Sequence, residues 1–287
     1  MTAAARPEAG GPRICICVDD FGLHAGINQA VFALQQLGRV QAVSAMVGGA
    51  AWADGARILR TLDPEQLEVG LHLDFTECPL LEQSRKPHRQ LLLQAFTRRL
   101  DGKALQQEIH AQLDAFEHAM GRAPAYVDGH QHVHQLPGIR EQLLQAIAQR
   151  YPTRRPWLRS TRSPASAAHA DWRTQAKSRV IEWLGNRGLQ AGAQRLGLLQ
   201  NGHLLGVYDF HGDARHYQAR LAQWLRAARD GDVLMCHPGL ESMAEDAIAA
   251  ARLVEFAVLS GPGFAALLAA SQVRLLPLHR ILQTSPG

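Results

Sequence analysis

Apolar residues along the chain fall into two alternating patterns. Short dense runs predict strands: "ICICV" (14–18), "AVSAMV" (42–47), "LEVGLHL" (67–73), "AYVD" (125–128), "PWLRS" (156–160), "DVLMC" (232–236) and "VRLLPL" (273–278). Between them apolar residues recur at helical spacing. Ile27, Val31 and Leu34 form one such set; Leu105, Ile109, Leu113, Phe116 and Met120 form another, which Gly121 can stop. Ile139, Leu143 and Ile147 follow Pro137-Gly138, and Leu221 and Leu225 lie on a helix ending near Gly231. A further helix is read around 244–258, a polar excursion over about 76–103, and a weakly patterned, mostly helical segment over 163–205. About seven strands in strict alternation with helices predict an α/β fold, a single-domain (β/α) barrel of parallel strands, incomplete or irregular, in preference to an open sheet.

Composition agrees with one large domain: 287 residues at 46% hydrophobic content can bury a sizeable core. The formal charge of +4 comes from basic residues scattered along the chain, so no nucleic-acid partner is implied. No stretch of 18 apolar residues predicts stable membrane insertion, and the start "MTAAARPEAGGPR" lacks the apolar region of a secretory signal. A cytoplasmic protein with a disordered tail over 1–12 is the resulting expectation. Cys15, Cys17, Cys78 and Cys236 have no metal-binding spacing and read as reduced, mostly buried thiols.

The chemistry-bearing residues cluster at strand ends. Asp19-Asp20 follow "ICICV", His72 is near the end of "EVGLHL", His130 follows "AYVD", and His237 follows "DVLMC". Those ends share one rim in parallel α/β folds, so the groups can converge. An Asp and two His from different strands can hold a divalent cation with positions left open for water and substrate. Two adjacent carboxylates then have distinct tasks: one ligates, and the other serves as a base toward water. Both can face the site only if the chain bends, which Phe21-Gly22 permits. In "VDGHQHVHQLPG", His130, His132 and His134 alternate beside Asp128; on extended chain they would share one face, as for a three-histidine zinc site, but one ligand from this segment leaves the acids a role. On the same rim His237 is a candidate acid. His24 and His211 read as loop histidines, and Arg159 and Arg162 as solvated or structural. The absence of G-x-S-x-G and of a phosphate loop argues against serine hydrolases and nucleotide binding.

"VDDFGLHAGIN", "VGLHLDFT", "DGHQHVHQLPG" and "LMCHPG", in this order, resemble the YdjC-like carbohydrate deacetylases, over about residues 13–280. The resemblance implies a catalytic barrel over 13–287 that removes the N-acetyl group of an amino sugar. It implies metal ligands Asp20, His72 and His130, a base at Asp19 and an acid at His237. Asp128, His132, His134 and Arg159 are then candidates for orienting ligands or substrate. The expected cofactor is one divalent ion, Mg²⁺ or Zn²⁺. The expected partner is an N-acetylated amino sugar, oligosaccharide or glycolipid, with homodimerisation open. The sequence departs from the family's pattern at His24, Gly129 and Gln131, which bear on substrate preference. Competing readings are a phosphoester hydrolase or sugar isomerase on a similar barrel, and a non-catalytic sugar-binding barrel.

Overall fold

The computed structural model describes residues 10–164, 172–241 and 243–284. In chain order its elements are β1 (Arg13–Phe21), α1 (Ala25–Gln36), β2 (Ala42–Ala45), α2 (Trp52–Leu59), β3 (Glu68–Leu73), α3 (His88–Phe96), α4 (Gly102–Met120), β4 (Tyr126–Gly129), α5 (Ile139–Arg150) and β5 (Trp157–Leu158). There follow α6 (Trp172–Trp183), α7 (Asn186–Arg195), β6 (Leu204–Leu205), α8 (Ala214–Ala227), β7 (Asp232–Cys236), α9 (Ala249–Ser260), α10 (Pro262–Ser271), β8 (Arg274–Leu275) and α11 (Leu278–Thr284). Seven strands run parallel in the order β5-β4-β3-β2-β1-β7-β6, and β8 pairs with the start of β1. The sheet curls until its edges approach: Leu158 N–H donates to Leu199 O, and Leu204 N–H to Arg162 O. The expected single-domain, incomplete α/β barrel is therefore the fold.

Helix ends follow local chemistry. Asp101 caps α4 by accepting from Lys103 and Ala104 N–H, and Gly121 ends that helix at φ +68°. Asp213 caps α8 in the same way through His216 N–H. Five elements escaped the sequence pattern: α2 and α11 were not read at all, β6 is only two residues long, α3 sits inside the polar excursion, and α10 follows α9 after a break at Gly261. The "VRLLPL" run supplies just two strand residues before turning into α11, and the helix expected from 244 starts at Ala249. Of the tail expected over 1–12, residues 1–9 lie outside the described residues, while Pro12 O accepts from Arg274 N–H. No single helix among the described residues is long and apolar enough to cross a membrane.

Alternation along the strands sorts residues into two layers. Ile14, Ile16 and Val18 of β1, Val43 and Ala45 of β2, Leu71 and Leu73 of β3, and Val127 of β4 join the core under the helices. Cys15, Cys17, Ala42, Tyr126, Trp157, Val233 and Met235 form a smaller cluster inside the barrel, with Leu278 and Ile281 of α11 beneath. Two residues beyond the last apolar inward positions come Asp19, Asp128, Arg159 and His237, and His72 occupies the equivalent inward place after Gly70. The polar rim is the next inward layer of the same barrel.

The layer below is tightly fitted. Tyr126 stacks on Trp157 at 4.1 Å, and its hydroxyl lies 2.9 Å from both Cys17 Sγ and Ser44 Oγ. Gly70 leaves room for that ring: a Cβ there would lie 2.4 Å from Tyr126 Cε2. We expect Gly70→Ala to lower unfolding stability by about 1–3 kcal/mol through overpacking. Urea unfolding of the two proteins tests this, and an unchanged midpoint would show that the floor can yield.

Candidate active site

The site begins with an irregularity in β1. Register with β2 shifts between Val18 and Phe21, and Asp20 adopts φ +66°. Regular alternation would send Asp19 inward and Asp20 outward with Val18. The left-handed residue instead turns Asp20 back to the rim, in a conformation that Asp tolerates better than most side chains. The bend therefore lies at Asp20 itself, earlier than the Phe21-Gly22 step expected from sequence, although Gly22 also takes φ +94°.

Asp20 Oδ1 is where two imidazoles meet. His130 Nδ1 lies 2.9 Å from it and His72 Nε2 3.4 Å, and the rings stand edge-on with centroids 5.6 Å apart. Three candidate donor atoms, one from each residue, lie within 4.8 Å of one another. Asp128 Oδ1, 2.7 Å from His72 Nδ1, accepts the proton on that nitrogen and leaves the Nε2 lone pair facing Asp20. A lone pair and a carboxylate oxygen repel unless a cation or proton lies between them, so the donor set fits a divalent ion. With protons alone, burial opposes charging but the carboxylates prevail: Asp128 and Asp19 push His72 up to about 10, and Asp20 pushes His130 to about 9. His130, whose side chain is 13% exposed, marks the open side of the site.

Each acid of the pair has its own guanidinium. Arg159, fully buried, grips Asp19 with both ends, Nη1 to Oδ2 at 2.6 Å and Nη2 to Oδ1 at 2.8 Å. Its Nη2 also lies 2.7 Å from Asp128 Oδ2, which accepts from Ser44 as well. Arg159 is thus a structural part of the site, and the solvated alternative is corrected: a charge on the inward layer is completely covered. Asp20 Oδ2 accepts from Arg252 Nη2 at 2.8 Å, and Arg252 Nε reaches Asp246 at 2.5 Å. Burial favours the neutral acids, but Arg159 and His72 hold Asp19, and Arg252 and His130 hold Asp20, well below the usual carboxylate range.

The histidine cluster is not extended chain. Residues 130–135 form a 3₁₀ turn, with Gln131 at φ +51° and His132 at φ +60°, so the three rings do not share a face. His130 turns to Asp20. His134, buried, donates from Nε2 to Arg159 O at 2.9 Å and so steadies the backbone of the arginine that holds Asp19. His132 Nδ1 is buried without a partner. His24 precedes α1 with Nε2 3.6 Å from Asp246 Oδ2, an ion-pair distance longer than a hydrogen bond; His211 is an exposed loop residue.

His237 follows β7 one residue past the Val18/Cys236 pairing, which sets it beside Asp19 across adjacent strands. Its ring stands edge-on to Phe210, and its backbone N–H donates to Glu255 Oε2 at 2.6 Å. Burial pushes the imidazole down to about 4, against the pull of Asp20 and Asp19. Burial thus favours the neutral ring, and a proton must reach it before it can serve as the acid. Sequence reasoning missed Arg252 and Glu255. Both lie on the buried face of α9 with Ala251, Val258 and Leu259, and two charges at i and i+3 on an apolar face were the available signal.

A curled parallel α/β barrel with an acid-and-histidine cluster at the carboxyl ends of its strands defines the class of protein. The chain belongs to the YdjC-like family, whose model matches residues 13–270. It is 29% identical over 308 residues to a human carbohydrate deacetylase, covering 96% of this chain and 93% of that protein. A chitooligosaccharide deacetylase from Enterobacter sp. (strain 638) is 30% identical over 132 residues, 44% of this chain and 52% of the other. In architecture, an Enterococcus faecalis protein named for cellobiose-phosphate cleavage superposes with a TM-score of 0.68 at 18% identity, covering 94% of this chain and 98% of that one.

Two outcomes follow from the ion pairs. Arg159→Met leaves Asp19 and Asp128 buried without their cation and should cost about 3–5 kcal/mol of unfolding stability, measured in denaturant. A loss below about 1 kcal/mol would mean that the pairs contribute no more than surface ones. Asp246 is lowered to about 2: burial acts to raise it, and His24 and Arg252 outweigh that. A depressed carboxylate contributes stability above its unfolded value and loses it as pH falls through the folded one. Unfolding stability should thus decline from about pH 4 toward pH 2, and Asp246→Asn should flatten that decline in acid titrations.

Proposed function

We propose that this chain is a metal-dependent carbohydrate deacetylase of the cytoplasm, hydrolysing the N-acetyl group of an amino sugar or its oligosaccharide. The observation that carries the reading is the convergence of His72 Nε2 and His130 Nδ1 on Asp20 Oδ1, with Asp19 on the preceding residue. The names of the deacetylase relatives support the substrate class. Asp20, His72 and His130 would hold the cation. Two imidazoles suit Zn²⁺, whereas a carboxylate with waters suits Mg²⁺, and reconstitution with each ion distinguishes them.

When bound, a divalent cation there supplies Lewis-acid polarisation of the amide carbonyl and a lowered pKa for water. Asp19 takes the proton from the attacking water. Arg159 keeps that carboxylate ionised and fixed in direction, so the base is ready at every working pH at the expense of some basicity. Burial favours the neutral His237 ring before turnover, so Asp19 passes the proton it has withdrawn from water to His237, which hands it to the departing amine. Water adds to the carbonyl carbon, the C–N bond breaks, and the products are acetate and the free amine. His72 is kept in one tautomer by Asp128, and His134 maintains Arg159 through its backbone.

The test separates the two acids. Asp19→Asn should keep its metal, measured by elemental analysis, while acetate release from N-acetylglucosamine oligomers falls about 10²–10⁴-fold. Asp20→Asn should lose the metal together with activity. Full turnover by the Asp19 variant, or metal loss in it with retention in the Asp20 variant, would reverse the assignment.

A further inference from the structure

Outside the site, the three most exposed large apolar side chains among the described residues, Trp183, Leu93 and Val180, lie on α3 and α6, and Phe96 of α3 joins them. Trp183 is 77% exposed, Leu93 65%, Val180 55% and Phe96 44%. Phe96 and Trp183 stack across the two helices at 6.0 Å with 14° between their planes. Helical spacing makes this a continuous surface. Arg89, Leu93 and Phe96 stand at i, i+4 and i+7 on the exposed face of α3, and Arg179, Val180 and Trp183 at i, i+1 and i+4 on that of α6. Contiguous exposed apolar groups of this kind mark an interaction surface.

Charge identifies the occupant. α3 carries no acid, and the one acid of α6, Glu182, is turned to Ser163 N–H. Arg89 and Arg179 flank the apolar groups, and Arg98 and Arg99 are exposed just past α3; none of the four has a carboxylate partner among the described residues. A second copy of the chain would bring the same arginines face to face, and a neutral sugar offers nothing to answer them. An anionic phospholipid surface meets both demands: aromatic and aliphatic side chains enter the headgroup boundary while guanidiniums meet phosphates.

We propose that the α3–α6 face docks peripherally on an anionic phospholipid membrane surface. The face flanks the site. α3 follows the loop whose Glu77 lies 3.8 Å from His130, and Lys177 of α6 reaches Tyr208 O and lies over the Phe210 ring that abuts His237. Docking would therefore set the mouth of the barrel beside the bilayer. The inference does not depend on the reaction proposed above.

Full-length protein is sedimented with vesicles of phosphatidylcholine alone or with phosphatidylglycerol added. The expected result is binding to the anionic vesicles that weakens with salt, with a blue shift of tryptophan fluorescence. Trp183→Ser and Leu93→Ser should each weaken binding about tenfold, and the pair Arg89→Glu and Arg179→Glu should abolish the preference for anionic vesicles. These positions are exposed, so circular dichroism and the unfolding temperature should stay as in the wild type and confirm that folding is intact. Absence of wild-type binding to anionic vesicles overturns the proposal, as does undiminished binding by Trp183→Ser. A dimer that depends on Trp183, or fluorescence quenching by a soluble N-acetylated oligosaccharide without vesicle binding, also overturns it and gives the face to a second copy or to sugar.

Discussion

Two ionised carboxylates on consecutive residues, both buried at the end of the central strand, are the constraint around which this structure is arranged. Unpaired, each would be driven to the neutral form, and together they would repel at short range. The fold supplies a separate guanidinium for each. Arg159 arrives from the end of β5 and Arg252 from α9, far apart in the chain. Arg159 is shared with Asp128, and Asp128 in turn orients His72. The first strand's charge problem thus reaches β3, β4, β5 and α9.

The two solutions differ, and the proposed division of roles draws on that difference. Both oxygens of Asp19 accept from one bidentate arginine, which fixes the direction of the carboxylate. Asp20 gives only Oδ2 to Arg252; its Oδ1 is left to two imidazole nitrogens. A ligand needs an oxygen directed at the other donors, and a base needs a fixed direction toward water. Asp20 suits the first task and Asp19 the second.

Much of this was legible in the sequence because the rim is an extension of strand periodicity. The runs that predict β1, β3, β4 and β7 each have a residue of the site at or just past their ends, so Asp19, Asp20, His72, His130 and His237 could be named from position alone. Arg159 was visible as a charge ending "PWLR", but its burial depends on Asp19 and Asp128, which are distant in sequence. Arg252 and Glu255 were hidden by the same logic: helical periodicity reports which face is buried, and the partners that let charges lie there come from tertiary structure. The turn at 130–135 was not legible, because alternation of histidines is equally compatible with a strand, and only the two left-handed residues break that geometry. The two-residue strand β6 is too short for any periodic signal.

The left-handed Asp20 links these observations. A non-glycine residue there costs about 1 kcal/mol or more and persists only where the surroundings determine it. Here Leu23 N–H donates to Asp20 O, Gly22 N–H to Asn28 Oδ1, and Met46 N–H to Phe21 O, so the chain leaving the kink is tied to α1 and to the residue after β2. Asn28 also donates to Ala51 O, joining α1 to the start of α2. Without the kink, alternation would place Asp20 among Val18, Val43 and Leu71 in the apolar layer, where nothing could balance its charge. With it, one short stretch presents two carboxylates to the same opening. The local strain is thus the condition for having two acids of different character on adjacent residues, and the hydrogen bonds around it explain why a backbone this unusual can be stable.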